Sequence, residues 1–163
     1  MTGVPKRSAA LLLYRFPEPD RCEVLIAHMG GPFWARKNER AWSIPKGEYT
    51  DEDPLLAARR EFAEEVGQPD LTGEVVELGE FRQSGAKVIT AYAAEGEFDP
   101  ARFASNTFEL EWPRGSGRIQ EFPEVDRIAW TDPQRAAELL VKGQVPILDR
   151  LRETLAAQGK PGR

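Results

Sequence analysis

Three glutamates stand close together in Arg60-Glu61-Phe62-Ala63-Glu64-Glu65, with Pro45-Lys46-Gly47 and Glu52 a short way upstream. On a helix, the steps from Glu61 to Glu64 and Glu65 are i, i+3 and i, i+4, so the three carboxylates share one face. Like charges at those spacings repel, and the face favours a bound divalent cation or a basic partner. Oxygen-only donors suit a hard cation, Mg²⁺ or Mn²⁺. An acidic face is also what plain solvated surface looks like, and Arg60 with Glu64 forms an ordinary exposed pair of small worth. The flanking residues decide between these readings.

A helix at this place is well marked. Asp53-Pro54 reads as an N-cap followed by proline at the first helical position. Leu55, Ala58, Arg59, Phe62 and Val66 recur at helical spacing, with Leu55, Phe62 and Val66 on the side opposite the glutamates. Gly67 supplies the stop.

The whole run resembles the Nudix box: Gly, five residues, Glu, seven residues, Arg-Glu, an aliphatic residue, any residue, Glu-Glu, any residue, Gly and an aliphatic residue. Glu52, Arg60-Glu61, Glu64-Glu65 and Gly67 fall at the box positions, and Phe62 fills the apolar slot. Two departures stand out. Gly47 lies one residue too close to Glu52, so the segment Glu48–Asp51 is one residue short, and Gln68 replaces the final aliphatic residue. The longer run Trp42–Tyr49, with Glu121–Trp130, resembles a bacterial MutT-like group of NTP pyrophosphohydrolases. Pro45-Lys46-Gly47 is also similar to the entry of diadenosine polyphosphate and diphosphoinositol polyphosphate hydrolases.

That resemblance implies a metal-dependent hydrolase that cleaves a pyrophosphate bond in a nucleoside polyphosphate, a nucleoside diphosphate linked to another moiety. Cations over the bridge lower the barrier by taking up charge on the phosphate oxygens. Carried over by position, Glu61, Glu64 and Glu65 are the expected metal ligands, with the Gly47 carbonyl as a further ligand that the short segment puts in doubt. Glu52 is expected in an outer shell or as an additional ligand. Arg60 is expected to orient a glutamate by ion pairing. One more glutamate outside the helix is expected as base or ligand, and Glu121 is preferred over Glu124, both in a loop ahead of Arg127–Trp130. Lys46 and then Lys87 are the expected phosphate contacts, and Trp112 is a rim residue on which a base could stack. Arg36, Lys37 and Arg40 read as a solvated loop, and Trp42 as core. A non-catalytic Nudix domain that senses a nucleotide is the rival reading, motivated by the short segment and opposed by the full set of glutamates.

The remaining composition sets bounds. The chain has 163 residues, 40% hydrophobic and 30% charged, which fits one folded unit over 1–163. Lys+Arg 22 against Asp+Glu 27 leaves a net charge of −5, which argues against an extended nucleic-acid footprint. The expected partner is a small nucleotide, with a homodimer as the assembly the family implies. The single Cys22 reads as a structural residue that fits a reducing compartment, and the single His28 reads as a packed or hydrogen-bonded residue. Met1–Lys6 runs straight into an apolar strand with no leader-like segment, and no run has membrane-spanning length. The expected location is cytoplasmic.

The elements that must position the glutamates follow. Ser8–Phe16 and Cys22–Met29 read as a hairpin across the turn Pro17–Asp20. Gly30–Ala41 is a loop, and Trp42–Ile44 is a short strand leading into a glycine loop at Lys46-Gly47. Glu74–Gln83 and Lys87–Glu97 are strands joined at Ser84–Ala86. Asn106–Trp112 and Arg127–Trp130 are further strands, with helices at Gln134–Val141 and Pro146–Ala157 and a frayed tail at Gly159–Arg163. The expected fold is α+β, a Nudix-type α/β/α sandwich with a mixed central sheet.

Overall fold

The apolar run near the N-terminus has no polar alternation, and the fold shows why. Strand β1, Lys6–Glu18, is buried on both faces through its middle, from Ala9 to Leu13. In a computed structural model that describes residues 6–67, 74–83 and 85–161, β1 lies at the centre of a seven-stranded mixed sheet. Ala10, Leu12 and Tyr14 point into one core and Ala9, Leu11 and Leu13 into the other, as the two-residue period of a strand requires. Gln68, Ser84 and the last residues of the tail lie outside the described residues.

Strand β2, Arg21–Met29, pairs antiparallel with β1. The turn between them is Pro19-Asp20, because β1 continues through Pro17 and Glu18. The two strands meet at Tyr14–Val24 and then separate. Into the gap come β3, Trp42–Ser43, which pairs with β2, and β4, Lys46–Glu48, which pairs with β1. The expected glycine loop at Lys46-Gly47 is therefore a strand. Pairing of Ser8–Ala10 with Glu48–Lys46, and the bond from Leu11 N to Pro45 O at 3.1 Å, absorb its backbone groups.

After helix α1, Pro54–Val66, the antiparallel strands β5, Val75–Arg82, and β6, Lys87–Glu95, extend the sheet. β6 runs parallel to β1 from Lys6↔Lys87 to Tyr14↔Glu95. A separate antiparallel hairpin joins β7, Thr107–Glu111, to β8, Ile119–Pro123. Glu121 lies in β8 and not in a loop, paired with Glu109 across the hairpin. β9, Val125–Thr131, returns to the main sheet beside β2.

The helices cover the two faces. Ala57, Ala58, Phe62 and Val66 of α1 pack on the face formed by Leu11, Leu13, Leu25 and Ala94. Helices α2, Pro133–Leu139, and α3, Val145–Ala157, bury Ala136, Leu139, Ile147, Leu148, Leu151 and Leu155 on the other face. The expected sandwich is the observed one. Helix α3 closes firmly: Lys160 N donates to Leu155 O at 2.8 Å, so the tail is held as far as Lys160 instead of fraying. None of the helices among the described residues is long and apolar enough to cross a membrane.

Among the described residues, three polar or sulfur-bearing side chains, His28, Cys22 and Gln144, are fully buried. His28 is bonded through Nδ1 to Asp126 and through Nε2 to the Lys37 carbonyl, both at 2.7 Å, which makes it a structural histidine as its sequence position suggests. The Cys22 thiol lies in the core, and burial pushes it up to about 11. Gln144 accepts from Ile44 N at 2.8 Å and donates to Ser43 Oγ at 2.9 Å, so it ties the α2–α3 layer to the strand that leads into Lys46. Replacing Gln144 by Leu leaves the buried Ile44 N–H unpaired. The expected cost is about 1–3 kcal/mol, read as a lower urea midpoint, and an unchanged midpoint would refute this tie.

Candidate functional site

Helix α1 starts where the sequence places it. Asp53 caps it by accepting from Leu55 N at 3.1 Å and Leu56 N at 3.3 Å, and Gly67 ends it at φ 85° with its N–H on Ala63 O at 2.8 Å. Between these caps Phe62 and Val66 are locked into the core, which fixes the rotation of the helix and so the direction of Glu61, Glu64 and Glu65.

Arg60 is the hub of the outer half of this face. Its guanidinium makes two bonds to the Glu52 carboxylate, one bond to Glu61 Oε1 at 2.8 Å, and a longer contact to Glu64 Oε1 at 3.5 Å. The Glu52 bonds, followed by those to Glu61, raise the already high Arg60 pKa further. Glu52 therefore touches Arg60, in keeping with an outer position.

Glu65 belongs to the inner half. It is partly buried, and its Oε2 accepts from Lys46 N at 3.2 Å. Burial raises its carboxyl pKa to about 8, the repulsion of Glu61 and Glu124 adds to this, and Lys46 opposes it. Glu61 is raised too, chiefly by burial, with the Arg60 bond pulling down and Glu64 and Glu124 pushing up. A Cβ on Gly47 would lie 2.0 Å from the Glu61 carboxyl carbon. Only glycine admits this carboxylate so close to β4. Despite the short segment before Glu52, Gly47 thus remains against the helix carboxylates.

The carboxylate from outside the helix that raises both Glu61 and Glu65 is Glu124. It is the single residue between β8 and β9, and its backbone is pinned on both sides: its N–H donates to Asn106 O at 2.8 Å and its carbonyl accepts from Gly30 N at 2.9 Å. Gly30 must be glycine there, since a Cβ would meet Pro123 O at 2.0 Å. Glu121 sits three residues back, exposed on the hairpin. The strand pairing of the hairpin separates the two candidates, and sequence spacing alone does not reveal it.

Glu65, Glu124 and Lys46 line one cavity of about 180 Å³, together with Ser43, Gln83 and Gln144. Gln83 and Gln144 carry no catalytic signature in the sequence. Lys87 lines a second, smaller cavity with Lys46 and Gln83. Trp112 lies at the end of β7, half-buried, edge-on to the exposed Phe33 ring at 5.1 Å, and does not line the Glu65 cavity. Trp42 is buried, with its Nε1 on Asn38 Oδ1 at 2.9 Å. Arg40 fastens its loop to α2 through the carbonyls of Ala137 and Leu140. A larger depression of about 710 Å³ between Arg15, Phe98, Pro100 and Trp130 holds none of the helix glutamates, so volume does not locate the chemistry.

The donor set suits a hard cation. The oxygens are carboxylates, two of them raised by burial and mutual repulsion, and a cation would relieve both effects. Among the described residues no group of three His, Cys, Asp or Glu side chains is already gathered as a cage, and Arg60 supplies the positive charge on the outer half.

Comparison with known proteins agrees with this picture. The family model described as the NUDIX domain matches residues 5–151. No curated protein matches the sequence. A mutT/nudix family protein from Listeria innocua is similar in structure, with TM-score 0.63 and 17% identity over 97% of this chain and 98% of that one. An Ap4A hydrolase from C. elegans gives TM-score 0.59 and 20% identity over 93% and 98%. The NUDIX domain of Shewanella oneidensis NrtR, solved with ADP ribose, gives 0.59 and 15% over 94% and 90%. At these identities the likeness is one of fold.

The raised Glu65 carboxyl has a consequence for stability. From its ordinary 4.5 up to about 8, the metal-free folded protein keeps a proton that the unfolded chain has lost. Stability therefore falls as pH rises through that window. Glu65→Gln keeps the neutral form throughout, so at pH 8 without divalent metal it should melt a few degrees above the parent. An equal or lower melting temperature would show that Glu65 is not strained by its charge.

Proposed function

Because the chain belongs to the Nudix family, we propose that it is a metal-dependent pyrophosphohydrolase acting on a nucleoside diphosphate linked to a further group. The observation that carries this is the Glu65 carboxyl: partly buried, raised to about 8, and facing Glu124 and Lys46 across one cavity. A carboxylate placed there is costly until a cation joins it.

In this reading Glu61, Glu64 and Glu65 hold Mg²⁺ or Mn²⁺, with Glu124, in place of Glu121, as the carboxylate from outside the helix and the Gly47 carbonyl beside them. The bound metal would supply Lewis acidity toward the phosphate oxygens and acidify a water. The protein's own groups do the rest. Arg60 holds Glu52 and Glu61 in place and acts as a positioning residue. The Lys46 N–H fixes one Glu65 oxygen, and the Lys46 ammonium attracts the phosphates. Glu124, carried on a pinned backbone, is suited to take a proton from the attacking water. Phe33 and Trp112 form an aromatic rim for a base, at a distance from the carboxylates. The closeness of Gly47 to Glu61 favours catalysis over sensing, since the short segment leaves the carboxylate side of the site assembled.

A panel of nucleotides with Mg²⁺ or Mn²⁺ tests this. Turnover should depend on the metal, and Glu65→Gln and Glu124→Gln should each lower kcat by about 100-fold or more. Glu121→Gln should stay within about twofold of the parent, as an exposed substitution away from the site. Full activity in Glu65→Gln would remove the metal assignment. Tight binding of a nucleotide with no hydrolysis under any metal would identify a sensor.

A further inference from the structure

Strand β9 carries one residue more than β2 has partners for. His28 pairs with Arg127 and Met29 pairs with Val125, so Asp126 has no partner across the strands and forms a bulge. The packing records the same insertion. Val125 and Ile128 are three residues apart, which strict alternation would put on opposite faces, yet both lie in the core that α1 covers. Past the bulge the register brings Glu124 to Gly30, whose N–H donates to the Glu124 carbonyl at 2.9 Å. Without the extra residue, Gly30 would meet Val125, and Glu124 would fall one position further on. A buried ring holds the insertion. His28 Nδ1 and Asp126 Oδ1 are 2.7 Å apart, and His28 Nε2 donates to the Lys37 carbonyl at 2.7 Å. The ring is fully buried and stands edge-on to Trp42 at 5.2 Å. Asp126 has a further charged neighbour in Arg127 Nη1 at 3.6 Å, and that guanidinium lies over the same Trp42 ring.

A bulge re-aims the side chains beside it, and this one lies two residues from the carboxylate outside α1 that is assigned to the reaction. We propose that His28 and Asp126 are positioning residues for Glu124: their bond clamps the bulge of β9, and the bulge sets the register that presents Glu124 to the helix glutamates. The part played in hydrolysis rests on the pyrophosphohydrolase reading, but the clamp itself does not. Burial of Val125 fixes one side of the insertion, and the His28 ring fixes the other. The ring cannot follow Asp126 outward, because its second nitrogen is bound to Lys37 in the loop that follows β2. A slip of one residue would turn Val125 out of its core and carry Glu124 away from Gly30.

The bond is best broken from the Asp126 side, since Asp126 is partly exposed and His28 is not. Asp126→Ala removes the partner of Nδ1. Asp126→Asn keeps one, because the neutral ring with its proton on Nε2 accepts at Nδ1 from the amide. Amide hydrogen exchange in the metal-free protein reads the clamp directly. In Asp126→Ala the amides of Gly30 and Glu124 should exchange at least about tenfold faster while those at the centre of β1 keep the parent rate, and Asp126→Asn should stay near the parent throughout. No change at Gly30 and Glu124, or an equal acceleration in β1, overturns the clamp. Turnover of a nucleotide reads its purpose. Asp126→Ala should lower kcat about tenfold with KM within about twofold. In a Glu124→Gln background the same substitution should cost less than about twofold, because the group it positions is gone. An equal loss in both backgrounds overturns the positioning role. Faster local exchange together with full activity in Glu124→Gln, or with no hydrolysis by the parent, upholds the clamp and sinks the catalytic reading of Glu124.

Discussion

Everything at this site depends on keeping a carboxylate partly out of water without a matching charge of its own. Glu65 is desolvated, repelled by two other glutamates and compensated by one backbone N–H and a nearby lysine. Left to itself such a group would swing into solvent. It stays because Phe62, about one turn back, and Val66, the next residue, are sealed into the core and because both helix ends are capped. The energy that holds the carboxylate in place comes from apolar burial on the far side of the same helix.

The sheet contributes through its own irregularity. β1 and β2 part company beyond Tyr14–Val24, and the short strands β3 and β4 fill the wedge. This brings Gly47 against Glu61 and Lys46 against Glu65, from the strand side, at the point where a regular hairpin would have left only side chains. The glycine in the family motif is explained by a close approach: any larger residue would occupy the space of the Glu61 carboxylate. The one-residue difference between Gly47 and Glu52 is taken up between β4 and α1 and does not disturb that contact.

Much of this is visible in the residues alone. Proline after Asp53, the spacing of Phe62 and Val66, and Gly67 define the helix and its acidic face through local rules, and local rules are what a sequence displays. The sandwich follows from apolar runs broken by turns. What could not be read depends on pairing between distant segments. β4 looks like a loop because it is three residues long and contains glycine, and its partner, Ser8–Ala10, lies far upstream. Glu121 looks equivalent to Glu124 until the β7–β8 hairpin assigns one to an exposed strand and the other to a pinned junction. Nor does the pairing of Lys6 with Lys87 show until β6 is laid beside β1.

That last pairing also governs how the chain can be made. The central strand, β1, finds its parallel partner β6 some eighty positions later, from Lys6↔Lys87 to Tyr14↔Glu95. During synthesis the apolar segment Ala9–Leu13 is made ahead of this partner, and that edge stays open until the acidic helix and β5 have been made and β6 follows. Long-range parallel pairing of this kind is slow, and an uncovered strand edge is a template for association with other chains. The same pairing that places two lysines side by side thus puts the longest-range step of folding at the centre of the sheet.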